Sequence, residues 1–79
     1  MSPTVHREGG YRFFFFSAEE ERMHVHVTSA AGECKFWLEP LVALAHATKG
    51  MSVQRLKRIQ GIVEGHRHEF IAAWRQHKA

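Results

Sequence analysis

Two imidazoles stand two residues apart in Met23-His24-Val25-His26-Val27, a stretch whose apolar and polar residues alternate with the period of a half-buried β-strand. Side chains at i and i+2 of a strand share one face. His24 and His26 are therefore near enough to act as an acid–base pair or to share a metal. As a catalytic pair, one neutral imidazole takes a proton while a protonated imidazole or Arg12 serves the leaving group and phosphate. A metal needs further ligands. His6, Glu33 or a C-terminal histidine are the candidates, but none stands at a fixed spacing, so the expected site uses no metal and no cofactor. The plain alternative is a pair of solvated surface histidines.

The same alternation sorts the neighbouring segments. Met23, Val25 and Val27 point to one face, with Cys34, Phe36, Leu38 and one pair from Phe13–Phe16. The opposite face then displays Arg12, His24, His26, Lys35 and Trp37, with Phe14 and Phe16 alongside. Rings beside cations suit single-stranded nucleic acid, because bases stack on rings while phosphates meet Arg and Lys. Lys35 and Trp37 are thus candidate RNA contacts, with Arg55 and Arg58 of the basic C-terminal run as a second set. Four consecutive phenylalanines also read as a strand buried on both faces. Cys34 lies on the apolar row, where it is expected to be an inert small hydrophobe. His66 and His68 fall on different helix faces, and His6, His46 and His77 are expected at the surface.

The elements that must hold these residues follow from periodicity and turn chemistry. Thr4–Arg7 and Tyr11–Phe16 flank Glu8-Gly9-Gly10, a hairpin loop with the glycines that positive φ requires. Ser17–Arg22 reads as a polar loop, Met23–Thr28 as a strand, Ala30–Glu33 as a turn and Cys34–Leu38 as a strand. After Pro40 the period changes. Leu41, Leu44, Ala45 and Thr48 recur at helical spacing, with Pro40 suited to the first turn and Gly50 to the end. Ser52 can cap a second helix, in which Leu56, Ile59, Val63, His66, Phe70 and Ala73 form one stripe, with Val53, Ile62 and Trp74 beside it. Gly61 and Gly65 inside it would allow close packing or mark a bend. The expected fold is α+β: a four-stranded antiparallel β-meander followed by two α-helices packed on one face (ββββαα).

Length and composition bound the rest. Seventy-nine residues are read as a single domain, 1–79, with a core small enough that a partner or a second copy is a reasonable expectation. One cysteine excludes an internal disulfide and fits a reducing compartment. The N-terminus lacks the apolar run of a signal peptide. The apolar runs, Phe13–Phe16 among them, are far short of the roughly 20 residues that span a bilayer. A cytoplasmic protein without membrane contact is the expectation. Residues 1–50 hold five Lys/Arg against six Glu, and residues 51–79 hold six against two, a bias that permits acidic partners without demanding them.

The segments Ser2-Pro3-Thr4-Val5 with Arg7, Tyr11-Arg12-Phe13-Phe14-Phe15-Phe16-Ser17, Met23-His24-Val25-His26-Val27 and Lys35-Phe36-Trp37-Leu38-Glu39-Pro40 together resemble the small bacterial family called domain of unknown function 4160. The likeness continues to the closing Glu69–Trp74 stretch. It implies a bacterial, cytoplasmic, partner-dependent protein, since members are typically encoded beside another small protein and the pair is often proposed to be a toxin–antitoxin module. It brings no agreed active site. The leading expectation is a toxin-like protein that is neutralised by a cognate small antitoxin-like protein and cleaves RNA without metal, with Trp37 stacking a base. The competing expectations are a non-enzymatic protein-binding or homodimerising module, and a DNA-binding autoregulator, the last lacking a helix-turn-helix signature.

Overall fold

The computed structural model describes residues 4–16 and 21–78. Most of the expected Ser17–Arg22 loop, along with Ser2 and Pro3, lies outside these residues. The chain forms β1 (Thr4–Glu8), β2 (Tyr11–Phe14), β3 (His24–Ser29), β4 (Gly32–Trp37), β5 (Ala43–Ala47), α1 (Val53–Gly65) and α2 (Arg67–Lys78). The five strands make one antiparallel sheet in chain order, β1-β2-β3-β4-β5. The architecture is α+β, with one strand more than the sequence suggests.

The extra strand is β5. Its segment reads as a helix because Leu41, Leu44, Ala45 and Thr48 carry helical spacing, but pairing with β4 decides the outcome. Cys34, Lys35, Phe36 and Trp37 stand opposite Ala47, His46, Leu44 and Ala43, with an irregularity between Lys35 and Phe36. Backbone groups along β4 would otherwise lack ladder partners on that side, and short alanine-rich segments lack the packed stripe that makes a helix hold in water. Pro40 accordingly sits in the β4–β5 connection. Gly50 ends no helix: it lies in the turn before α1, where a Cβ would stand 1.8 Å from the Ala31 carbonyl oxygen.

Gly9 and Gly10 join β1 to β2 with φ of 59° and 83°, the left-handed pair that a tight hairpin requires. Ser52 caps α1, its Oγ accepting from the Arg55 amide at 3.2 Å. The long stripe from Leu56 to Ala73 is not one helix. His66 (φ −111°, ψ 14°) separates α1 from α2, and the break resets the phase of the buried face. Ile59 and Val63 are buried on α1, whereas Phe70, Ile71 and Trp74 are buried on α2. Gly61 and Gly65 have open space around them, so close packing is not their role.

The helices cover the face that carries Tyr11, Phe13, Phe15, Val25, Val27, Cys34, Phe36 and Leu38, which pack with Met51, Ile59, Val63, Phe70, Ile71 and Trp74 in one core. Burying such large apolar side chains contributes about 1.5–3 kcal/mol each. Arg67 fastens α2 to the β4–β5 connection: its Nε donates to the Leu38 carbonyl at 2.7 Å and its Nη2 to that of Pro40 at 3.3 Å. Burial pushes the Cys34 thiol up to about 12, keeping it protonated and unreactive at neutral pH.

Candidate functional site

Strand pairing brings the chemistry-bearing residues onto the helix-free face. Phe14 stands opposite His26, His26 opposite Lys35, and His24 opposite Trp37. The result is an alternation of rings and cations. The Arg22 guanidinium lies 4.2 Å and the Lys35 ammonium 4.6 Å from the Trp37 ring, and the Arg12 guanidinium 4.5 Å from the Phe14 ring. Arg12 Nε also donates to Thr4 Oγ1 at 2.6 Å. His26 stacks on Phe14 with ring centroids 5.5 Å apart and meets Phe16 edge-on at 4.6 Å. Phe16 is 43% exposed.

His24 is placed differently from the expected exposed row. It is fully buried at the start of β3, because Trp74 of α2 reaches its ring at 4.8 Å while Trp37 lies at 5.9 Å. Its Nδ1 is 2.6 Å from the Arg22 carbonyl oxygen. A carbonyl can only accept, so Nδ1 carries hydrogen, and in the neutral ring Nε2 bears the lone pair. The His24 and His26 rings are perpendicular at 5.0 Å. The two imidazoles are adjacent, but only His26 is partly open to solvent.

Arg55 and Arg58 are not brought to this face. They line a cavity of about 260 Å³ at the start of α1 together with Tyr11, Ser52 and Gln54. There Arg55 Nη1 is 3.5 Å from the Tyr11 hydroxyl, on the helix-covered side of the sheet. Any nucleic acid on Lys35 and Trp37 is therefore separated by the sheet from these two arginines.

The sequence profile described as "Domain of unknown function (DUF4160)" matches residues 10–75. The chain belongs to the DUF4160 family. The match takes in all of β2 to α1 and the core of α2, so the His-x-His strand and the Phe-Trp-Leu-Glu-Pro segment both lie inside it. No curated protein and no solved structure matches the chain. Among the described residues, no helix of this DUF4160 protein is long and apolar enough to cross a membrane.

A second cluster in the DUF4160 chain was not visible in the sequence. His6 Nε2 is 2.9 Å and His66 Nε2 3.6 Å from Glu8 Oε1, and His66 Nδ1 is 3.1 Å from Glu69 Oε1. The imidazole rings of His6 and His66 lie 4.1 Å apart. His6-x-Glu8 on a strand was the available signal, since i and i+2 share a face. The third member depends on the helix break, which lays His66 against β1 and which the continuous stripe concealed.

Proposed function

We propose that this protein is the toxin-like member of a two-protein toxin–antitoxin module and acts on RNA through the helix-free face of its sheet. The observation that carries the reading is the pair of cations, Arg22 and Lys35, beside the partly exposed Trp37 ring, with Arg12 over the Phe14 ring on the same side of the sheet. Bases stack on such rings and phosphates meet the flanking cations. Within that reading, His26 takes the 2′-hydroxyl proton, the 2′-oxygen bonds to phosphorus as the P–O5′ bond breaks, and the departing 5′-oxygen takes its proton from solvent water, while Arg12 and Lys35 meet the phosphate charge and Trp37 stacks a base. The buried His24 acts as a positioning residue, its ring held edge-on to His26.

The test is a titration of single-stranded RNA at low salt, followed by a cleavage assay without added metal. Trp37→Ala is expected to weaken binding about 5- to 100-fold, the loss of one base–aromatic stack. Lys35→Ala is expected to lower the slope of log affinity against log salt by about 0.7. His26→Ala is expected to abolish turnover while leaving binding intact. Absence of RNA binding by the unaltered protein, or equal affinity in Trp37→Ala, removes the reading.

A second reading, a non-enzymatic docking module, is favoured by the β5 edge. Leu41 and Leu44 are 74% and 45% exposed on and beside this edge strand, and Ala43–Ala47 carries no Lys, Glu or Pro, the residues that usually blunt an edge. Addition of a strand from a cognate small protein or a second copy would cover it. Light scattering at several concentrations, alone and with the neighbouring gene's product, separates the readings: a stable complex without RNA turnover supports docking.

A further inference from the structure

The geometry points to a divalent transition-metal site, of the zinc class, built from His6 and Glu8 of β1 and His66 at the α1–α2 break. Among the described residues this is the one place where three such side chains each offer a donor atom within 4.8 Å of the other two. The donors come from parts of the chain about sixty residues apart and meet at a joint between the sheet and both helices.

The donor set fits the metal class. Two imidazole nitrogens and one carboxylate oxygen suit zinc and its late first-row neighbours, whereas calcium and magnesium prefer oxygen alone. A tetrahedral ion with bonds of about 2.1 Å holds its donors roughly 3.4 Å apart. The observed 2.9 Å between His6 Nε2 and Glu8 Oε1, and 3.6 Å between His66 Nε2 and Glu8 Oε1, bracket that spacing.

The surroundings prepare His66, whereas His6 Nε2–H donates to Glu8 Oε1 at 2.9 Å and must shift its hydrogen to Nδ1 for Nε2 to bind an ion. Glu69 Oε1 lies 3.1 Å from His66 Nδ1, so Nδ1–H donates to that carboxylate and Nε2 is left with its lone pair facing Glu8. Metal-bound histidines are typically oriented in this way, by a carboxylate on the other ring nitrogen. His66 stacks on Phe70 at 5.8 Å and His6 contacts Phe13 at 5.5 Å and Phe70 at 6.0 Å. The core thus fixes the inner side of both rings, while the outer side stays open to an entering ion. His66 lies inside the segment that matches the family profile, residues 10–75, and His6 and Glu8 lie just before it. Three protein donors leave a fourth position open to solvent, and the bound ion would clamp β1 to the helix joint.

Zinc chloride titrated into the full chain by calorimetry tests the site, with circular dichroism to check folding. The unaltered protein is expected to bind one equivalent with micromolar or tighter affinity and to melt at a higher temperature when saturated. Glu8→Gln, half-exposed and therefore tolerated by the fold, is expected to remove the binding, as is His66→Ala. Glu69→Gln is expected to weaken it roughly 10- to 100-fold, the usual effect of losing a carboxylate behind a ligand histidine. His26→Ala, on the other side of the sheet, is expected to bind as the unaltered protein does. No binding by the unaltered protein, or equal binding by folded Glu8→Gln and by the unaltered chain, overturns the site. So does loss of binding in His26→Ala, which would place the metal on the His-x-His strand.

Discussion

Alanine at two glycines is expected to change stability in opposite directions. At Gly50 an added Cβ would stand 1.8 Å from the carbonyl oxygen of Ala31 and 3.0 Å from its carbonyl carbon. Ordinary van der Waals contact begins near 3.4 Å, so the gap must open by more than an ångström. Both sides are backbone, and the displaced turn joins β3 to β4, so no flexible side chain can absorb the shift. Overpacking of this kind costs about 3 kcal/mol or more. A 79-residue chain has roughly 4–12 kcal/mol of net stability, so the substitution removes a quarter of it at least. At Gly61, in the middle of α1, nothing lies within 4 Å of the added Cβ, and alanine gains about 0.5–1 kcal/mol from its helix preference. With a urea dependence near 1 kcal/mol/M for a chain this small, the Gly50→Ala midpoint should fall by about 3 M. The Gly61→Ala midpoint should rise by about 0.5–1 M. Equal midpoints for Gly50→Ala and the unaltered protein would refute the close approach of the two turns, and a fall for Gly61→Ala would refute the open helix surface.

Two further predictions concern single contacts. Burial holds the Cys34 thiol at about 12 against an ordinary 9.0; the unfolded chain therefore loses this proton first, and the stability it contributes is complete below pH 9 and drains away as pH rises towards 12. The unfolding free energy should fall more steeply above pH 9 than in Cys34→Val, by about 1.4 kcal/mol per pH unit, and parallel denaturation curves would contradict this. Arg67→Ala removes both hydrogen bonds to the Leu38 and Pro40 carbonyls and should cost about 1.5–3 kcal/mol. Arg67→Lys should recover only part of that loss in the same urea titration, because an ammonium cannot reproduce the two-pronged contact.

The sheet was legible where alternation and turn chemistry agreed. Gly9-Gly10, the Met23–Thr28 alternation and the Cys34–Leu38 row each state their conformation locally, and the split of Phe13 and Phe15 from Phe14 and Phe16 follows from the pleat. β5 was not legible, because what makes it a strand is the edge of β4, a partner that its own alanines do not reveal. The helix break at His66 was hidden for a related reason: the 3-4 spacing runs on through the joint, and Ile71 becomes a core residue only after the phase resets. At the candidate RNA face, the placement of Arg12, His26, Lys35 and Trp37 could be read from parity alone. The burial of His24 could not, since it depends on Trp74 arriving from fifty residues downstream.

The sequential order of the sheet also sets a schedule for synthesis. Each strand pairs with the one made just before it, so the meander can zip up as the chain leaves the ribosome, with little loop entropy to overcome at any step. Its apolar face gains nothing from that progress. Phe13, Val25, Val27 and Phe36 find their cover only when Ile59, Val63, Phe70 and Trp74 have been made. Throughout that interval a nascent sheet exposes both a greasy face and the β5 edge, which carries no Lys, Glu or Pro, the two surfaces on which partly folded chains adhere to one another. A protein of this design has its greatest need of company before it is finished, and a small partner translated alongside it would meet it at that moment.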